Sequence, residues 1–116
     1  MQGDGLSEAV LDTIGDERTR TVLAAIAHEP GSVSDLTEQL NLSEATIYRR
    51  IDTLEEHGLV AERTLVADDG NHYSVYWSDF SGTVVALDGD EYTVHVLREG
   101  ELPDALSEFR EELSNR

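Results

Sequence analysis

The sequence predicts an α+β fold in which four helices precede two β-hairpins and a closing helix. Apolar residues recur three and four positions apart from residue 6 to residue 57, as they do on one face of an amphipathic helix. Two turn sequences, DDGN at 68–71 and DGD at 88–90, then separate runs rich in β-branched and aromatic residues, which is typical of hairpins. Helical spacing returns after Pro103.

The first two helices are expected at residues 6–14 and 17–28. Gly15 separates them, and Asp16 is a good N-cap residue because its side chain accepts a hydrogen bond from the first helical turn. Pro30 ends the second helix, since proline lacks the N–H that a helix interior uses. Both helices are expected to pack on the pair that follows.

The next segment, VSDLTEQLNLSEATIYRRIDTLEEHGLV, predicts two short helices joined by a tight turn. Val33, Leu36 and Leu40 are spaced so that they share one face of the first helix. Either Ser32 or Ser34 caps its start.

The second helix of this pair is expected to begin after Ser43 and to end before Gly58, a residue that accepts the left-handed turn past a helix. Ile47, Ile51 and Leu54 form its apolar face. Two helices joined by a tight turn form the helix-turn-helix geometry, in which the second helix lies in the major groove of DNA.

The polar side of this second helix is the predicted DNA contact. The residues on its flank or exposed side are Glu44, Thr46, Tyr48, Arg49 and Arg50. Basic residues are scarce, because the chain has 8 Lys+Arg, all of them arginine, against 25 Asp+Glu. Two adjacent arginines on one helical turn are therefore a quarter of its cations. Glu44 either accepts a hydrogen bond from a cytosine or repels wrong sequences.

The expected roles of these side chains differ. Of Arg49 and Arg50, one is expected to read a guanine edge, which discriminates by about 1–3 kcal/mol, and the other to bind phosphate. Thr46 and Tyr48 are expected to contact bases or backbone. Ser43 is expected to offer its hydroxyl and the helix N-terminus to phosphate.

This segment resembles the core of winged helix-turn-helix regulators of the ArsR type, in the acidic version found in halophilic archaea. IGDERTR at residues 14–20 and YSVY at residues 73–76 support the resemblance, which covers about residues 10–78. It implies a winged-helix fold and a role in DNA-binding regulation. It leaves target and effector open, because this scaffold serves many unrelated signals.

The hairpin after the second helix, with strands expected at residues 59–67 and 72–77, is interpreted as the wing. Wings of the family usually carry a basic tip, whereas DD at 68–69 makes this tip acidic and leaves its contact with DNA open. The better candidates for phosphate contact are the flanking residues Arg63, His72 and Tyr73.

Residues 81–116 are predicted to add a second hairpin, with strands at 83–87 and 92–97, and the closing helix. This unit follows a DNA-binding domain at residues 1–80 and is expected to form a homodimer; packing on its own domain is the alternative. A symmetric pair reads two half-sites about 34–36 Å apart, one turn of DNA. The expected dimer interface is the apolar row Leu102, Leu106, Phe109 and Leu113.

The formal net charge of -17 at pH 7 opposes DNA binding, because affinity for DNA comes largely from basic groups that neutralise phosphates. One interpretation is a salty cytoplasm, where at about 1 M salt the screening length falls to about 3 Å and local contacts decide. The alternative is an acidic winged-helix interaction module, a DNA mimic or adaptor that does not bind DNA. The arginines of the predicted recognition helix favour the first.

No enzyme activity, cofactor or metal site is expected. The chain has no cysteine, its four histidines are dispersed, and it lacks a glycine-rich phosphate loop. No apolar run approaches the roughly 18 residues of a membrane span, and MQGDGLSEAV is unlike a secretory signal, so the expected location is the cytoplasm. The sequence therefore predicts a homodimeric, sequence-specific transcription regulator that binds double-stranded DNA at high salt.

Overall fold

The computed structural model describes residues 4–101, 103–104, 107–108 and 110–111, and it confirms the α+β architecture. The helices are α1 (Asp4–Gly15), α2 (Glu17–His28), α3 (Val33–Leu40) and α4 (Glu44–Glu56). The strands are β1 (Ala61–Val66), β2 (His72–Trp77), β3 (Phe80–Asp88) and β4 (Glu91–Arg98), which form two separate antiparallel hairpins, β1–β2 and β3–β4. Among these helices, none is long and apolar enough to cross a bilayer.

The chain divides into two compact units, Met1–Ser78 and Asp79–Arg116. The first contains α1 to α4 and the hairpin β1–β2, and the second contains the hairpin β3–β4. From the sequence the boundary is predicted after residue 80, but Phe80 already opens β3 and so belongs to the second unit. The predicted dimer residues Leu102, Leu106, Phe109 and Leu113 lie outside the described residues.

Short polar side chains start α2, α3 and α4. At α3 the N-cap is Ser32, not Ser34. The Ser32 hydroxyl accepts a hydrogen bond from the Asp35 N–H (3.1 Å), and the Asp35 carboxylate accepts one from the Ser32 N–H (3.0 Å). This reciprocal capping box satisfies two backbone donors that the helix itself leaves free.

A three-residue turn joins α3 to α4. Asn41 takes the left-handed conformation with φ 55° and donates its N–H to the Thr37 carbonyl at 2.9 Å. Asparagine is one of the few residues besides glycine that visits this region at low cost. The turn is therefore tight enough to set α4 directly against α3.

α4 ends at Glu56, just before His57 and Gly58, as predicted from the sequence, but the strand after it begins later than predicted. Gly58 has φ 71°, and the Leu59 N–H donates to the Leu54 carbonyl at 2.9 Å, so Leu59 closes the helix. Leu59 and Val60 are buried, and β1 begins at Ala61. The predicted strand start at residue 59 is thus part of the helix terminus.

The core of the first unit is formed by the inward faces of the helices and the residues after α4. Its most deeply buried side chains are Val22, Ile26, Leu36, Ile47, Ile51, Leu54 and Leu59. The prediction that Ile47, Ile51 and Leu54 form the inner face of α4 is confirmed. Each such side chain contributes about 1.5–3 kcal/mol by leaving water, so this core orients α4.

The base of β1–β2 is attached to the segment before α3. Gly31 and Tyr76 form an antiparallel bridge in which each N–H donates to the other's carbonyl, at 3.1 and 2.8 Å. The Tyr76 ring is buried. The tip has Gly70 at φ 86°, and Asp69 accepts a hydrogen bond from the Asn71 N–H at 3.0 Å. The hairpin is therefore anchored at one end.

The second hairpin, β3–β4, is longer than predicted, with an irregularity between Phe80 and Gly82. Arg98 on β4 pairs with Asp79 at 2.9 Å, and the Asp79 carbonyl accepts the Glu99 N–H at 2.6 Å. These contacts close the open end of this hairpin.

Candidate nucleic-acid interface

The exposed face of α4 is the first part of the candidate site. Consecutive helical residues are about 100° apart around the axis, which puts Arg49 about 160° from both Ile47 and Ile51. These two isoleucines are fully buried, and Arg49 is exposed. The Arg49 side chain forms no ion pair with any described residue. It is therefore available to an external anion.

Arg50 is in a different environment from Arg49. It lies about 60° from Ile47 and about 40° from Leu54, at the edge of the buried face. Its side chain is 24% exposed, and its Nη1 lies 3.5 Å from Asp16 Oδ2 at the start of α2. Its Nε is buried without a hydrogen-bond partner in the described part of the chain. The sequence assigned both arginines to DNA, whereas the structure brings Arg50 to a carboxylate of its own chain.

Asp16 holds Arg50 while it caps α2. Its Oδ2 also accepts hydrogen bonds from the Thr19 N–H (2.9 Å) and the Thr19 hydroxyl (2.7 Å). These bonds to Thr19 lower the pKa of Asp16 below its ordinary value, and the positive charges of Arg50 and Arg18 lower it further. The carboxylate is thus ionised and directed at α4.

The start of α4 is organised by Ser43. Its hydroxyl accepts a hydrogen bond from the Thr46 N–H at 3.1 Å and donates one to the Thr46 hydroxyl at 2.8 Å. Both side chains predicted to contact DNA are therefore engaged in the cap, and Thr46 is half-buried. Glu44, in the first turn, is exposed and suits the positive end of the helix dipole.

Two exposed residues near Arg49 were not predicted from the sequence. Ala45 lies one turn before Arg49, and Asp52 lies almost one turn after it. Tyr48, which was predicted, is also exposed. Helical angles measured from the buried isoleucines would have found both of the missed residues, because both fall opposite the apolar face. The front of the face is therefore formed by Ala45, Tyr48 and Arg49.

The three predicted residues of the β1–β2 hairpin lie on opposite sides. In its register Arg63 lies opposite Val75 and Leu65 opposite Tyr73, so Arg63 and Tyr73 share one side and His72 is on the other. The Arg63 guanidinium lies 5.2 Å from the centre of the Trp77 ring, a cation–π contact.

Carboxylates collect where the end of α4 meets this hairpin. Burial raises the pKa of Glu55, and the nearby charges of Glu62 and Asp52 raise it further. Burial first, and then the charges of Glu62 and Glu55, raise the pKa of Tyr76. Glu62 also accepts a hydrogen bond from the Ser74 hydroxyl. This acidic end would repel a polyanion, so an anion that approached α4 would meet the first half of the helix.

No other described feature forms a chemical site. A cavity of about 360 Å³ is lined mainly by Glu29, Asp35, Glu38 and their neighbours, without a basic or nucleophilic group. The described residues contain no group of three or more His, Asp or Glu side chains that could hold a metal ion. The four histidines have no common site.

The fold and site define a small α+β protein in which α4 exposes Arg49 without an ion-pair partner among the described residues and the hairpin β1–β2 exposes Arg63. The model of the HVO_A0261 N-terminal domain family matches residues 7–99, so the chain belongs to this family. The match includes both hairpins, and the description names no ligand or activity. No curated protein matches the chain.

Proposed function

We propose that this chain is a winged helix-turn-helix transcription regulator that binds double-stranded DNA as a homodimer in a high-salt cytoplasm. The observation that carries the proposal is the free guanidinium of Arg49 on the exposed face of α4. A helix that follows a tight turn and keeps its outer face polar is suited to the major groove.

Within this proposal the first half of α4 reads the bases. Arg49 donates to a guanine edge, and exposed Ala45 and Tyr48 beside it meet neighbouring base pairs. Arg50 acts as a positioning residue, since its ion pair with Asp16 holds α4 against α2. Ser43 and Thr46 stabilise the helix start, so phosphate contact there comes from the backbone N–H groups of the helix N-terminus.

The hairpin β1–β2 serves as the wing. Arg63 and Tyr73 lie on one side of it and form the proposed phosphate contact, whereas His72 on the opposite side is not available to the same strand of DNA. The Trp77 ring under Arg63 orients the guanidinium while leaving it exposed. The acidic tip at 68–69 has no proposed role in binding.

High salt makes DNA binding compatible with the formal net charge of -17, because it screens the repulsion between the protein and DNA. At about 1 M salt the screening length is about 3 Å, so distant carboxylates stop repelling DNA while a direct arginine–guanine contact persists. Few phosphates are contacted, so affinity should depend on salt less steeply than for a basic regulator. A homodimer doubles the number of base contacts through two half-sites.

The test selects bound sequences from a pool of double-stranded oligonucleotides with a randomised core, in about 1 M KCl where screening is strong. The affinity of the wild type for the selected site is then compared with those of Arg49→Ala, Arg49→Lys and Arg110→Ala. Arg49→Ala should weaken binding by roughly thirtyfold or more, because a homodimer loses one bidentate contact of about 1–3 kcal/mol at each of its two half-sites. Arg49→Lys should lose most of the same discrimination, because an ammonium cannot form the fork.

Arg110→Ala is the control, because it removes one exposed arginine that belongs to the second unit and lies on neither α4 nor a hairpin. It should bind as the wild type does. If the wild type selects no sequence, or if Arg49→Ala and Arg110→Ala bind alike, the proposal fails.

The carboxylates at the end of α4 favour a second candidate function, an acidic module that docks a cationic protein. Glu55 and Glu62 repel each other there, and a basic partner would relieve the repulsion. This candidate predicts binding to a polycation that Glu62→Gln weakens and Arg49→Ala leaves unchanged. The DNA-binding proposal predicts instead that Arg49→Ala weakens binding to DNA and that Glu62→Gln does not.

A further inference from the structure

One side of the β3–β4 hairpin is uncharged from Thr83 to the turn, and Arg98, which alternates onto this side at the open end, is paired with Asp79. In its register Val85 lies directly opposite Val94, and side chains opposite each other emerge on the same side of a hairpin. The side chains on this side, which we call the apolar face, are Thr83, Val85, Leu87, Tyr92, Val94 and Val96. The other side ends in Asp88 and Glu91 at its tip.

The apolar face is open to solvent toward its tip. Leu87 is 60% exposed and Tyr92 is 57% exposed. A two-stranded hairpin is marginally stable in water unless one of its faces is covered. A contiguous patch of exposed apolar side chains on a strongly acidic chain therefore indicates a contact surface.

We propose that the apolar face is covered by the same face of a second copy of this chain, packed about a two-fold axis. In such an isologous contact one patch is complementary to itself. The inference deepens the proposed function, which requires a homodimer, and it rests on that function for the high-salt condition.

Charge favours a second copy over other occupants. Nucleic acid and anionic membrane surfaces bind through basic groups, and none of the six side chains of the apolar face is basic. A basic partner is drawn to carboxylates, and the apolar face has none. A second copy brings an equally uncharged face, and the repulsion between the acidic rims disappears in molar salt.

The size of the face sets the strength of this pairing. Strand residues rise about 3.4 Å and strands lie about 4.8 Å apart, so the face is about 17 Å long and about 10 Å wide. This is well below the roughly 800 Å² that each partner buries in a standard interface. The dimer is therefore weak and reversible, and a DNA site that binds both copies strengthens it by raising their effective concentration.

Val84 and Val85 provide a matched pair of variants. They are neighbours on β3, point to opposite sides, and are 44% and 46% exposed. Sedimentation of the full chain without DNA, across a dilution series at low and molar KCl, should show a wild-type dimer that grows with both protein and salt. Val85→Asp should be monomeric throughout, and Val84→Asp should dimerise like the wild type.

A wild-type chain that stays monomeric in molar salt overturns the proposal, and so does equal behaviour of the two aspartate variants. If circular dichroism shows that Val85→Asp is unfolded, cross-linking decides instead. The chain has no cysteine, so Val85→Cys and Val84→Cys each introduce one thiol. Packed sheets lie about 10 Å apart, so a bismaleimide of that reach should join Val85→Cys and leave Val84→Cys monomeric; equal yields contradict the pairing.

Arg49→Ala separates this inference from the proposed function. It should dimerise as the wild type does, whatever its affinity for DNA. If Arg49→Ala loses DNA binding but still dimerises, the result concerns only the role of Arg49 in the proposed function. If a variant of the apolar face loses the dimer but still binds single DNA half-sites, the result concerns only the dimer contact.

Discussion

Arg50 and Asp16 join the middle of α4 to the start of α2, with Nη1 of the arginine 3.5 Å from Oδ2 of the aspartate. The same oxygen caps α2 through Thr19. One carboxylate therefore both starts a helix and sets the angle of the neighbouring helix that carries Arg49. Arg50, at the edge of the buried face of α4, orients the helix, whereas its neighbour Arg49 is exposed and forms no ion pair with any described residue.

Asp16→Asn should destabilise the protein at neutral pH, because asparagine keeps an N-cap acceptor but loses the charge that holds Arg50. The pKa of Asp16 is lowered from its ordinary value of 3.8. Its stabilising effect is therefore complete above 3.8 and is lost as pH falls through the lower folded value. The gap in free energy of unfolding between wild type and variant, measured by urea titration, should close in strong acid. Asp16→Ala should be less stable than Asp16→Asn, since it also removes the cap; equal stability of the two variants would contradict this.

Glu55→Gln should stabilise the protein at neutral pH. The pKa of Glu55 is raised from 4.5, so the ionised carboxylate costs stability, and this cost grows as pH rises from 4.5 to the folded pKa. The advantage of the variant should shrink below pH 4.5, and in part in molar salt, which screens Glu62 and Asp52 but leaves the burial. Thermal unfolding across pH and KCl measures both trends. Exposed Glu56→Gln is the control, and an equal gain from it would point to general charge reduction.

Ser43→Ala should lower the free energy of unfolding by about 1 kcal/mol, the usual loss for an N-cap hydroxyl. Ser43→Asp should restore most of that loss, because aspartate caps well and favours the positive end of the helix dipole. Its negative charge should nevertheless weaken DNA binding at the helix start. Urea unfolding and anisotropy titrations together test this, and a Ser43→Asp variant that binds as the wild type does would remove the helix start from the interface.

Ile51→Ala should cost about 2–5 kcal/mol, because Ile51 is fully buried on the inner face of α4 and the change leaves a cavity. Arg49→Ala should alter stability by less than about 0.5 kcal/mol, since the side chain is exposed. DNA binding should be weakened in Arg49→Ala at unchanged stability. In Ile51→Ala it should return when the temperature is lowered enough to refold the chain. A stable Ile51→Ala variant would contradict the assigned core.

Local periodicity predicts the first unit well. The spacing of Ile47, Ile51 and Leu54 is sufficient to identify the buried side of α4, because a helix has one period and one inner face. Ser43 follows from the same logic, since cap chemistry acts within one turn. The buried side and the N-cap of α4 can be predicted because each depends only on residues that are close together in the sequence.

The pairing of Arg50 with Asp16 could not be predicted in the same way. It depends on where α2 crosses α4, a distance in space between residues far apart in the chain. Adjacent arginines suggested a shared role, although a separation of about 100° on a helix directs them to different surroundings. The identity of the DNA site, the wing contact and the dimer remain predictions.

Because of the reciprocal hydrogen bonds between Gly31 and Tyr76, amide exchange should be slower at the base of the hairpin β1–β2 than at its tip. The amides of Gly31 and Tyr76 are freed only when the hairpin base detaches from the helices, whereas the amides near Gly70 exchange by fraying of the tip. The far end of this hairpin can thus open and reclose many times while its base stays bonded to the segment before α3.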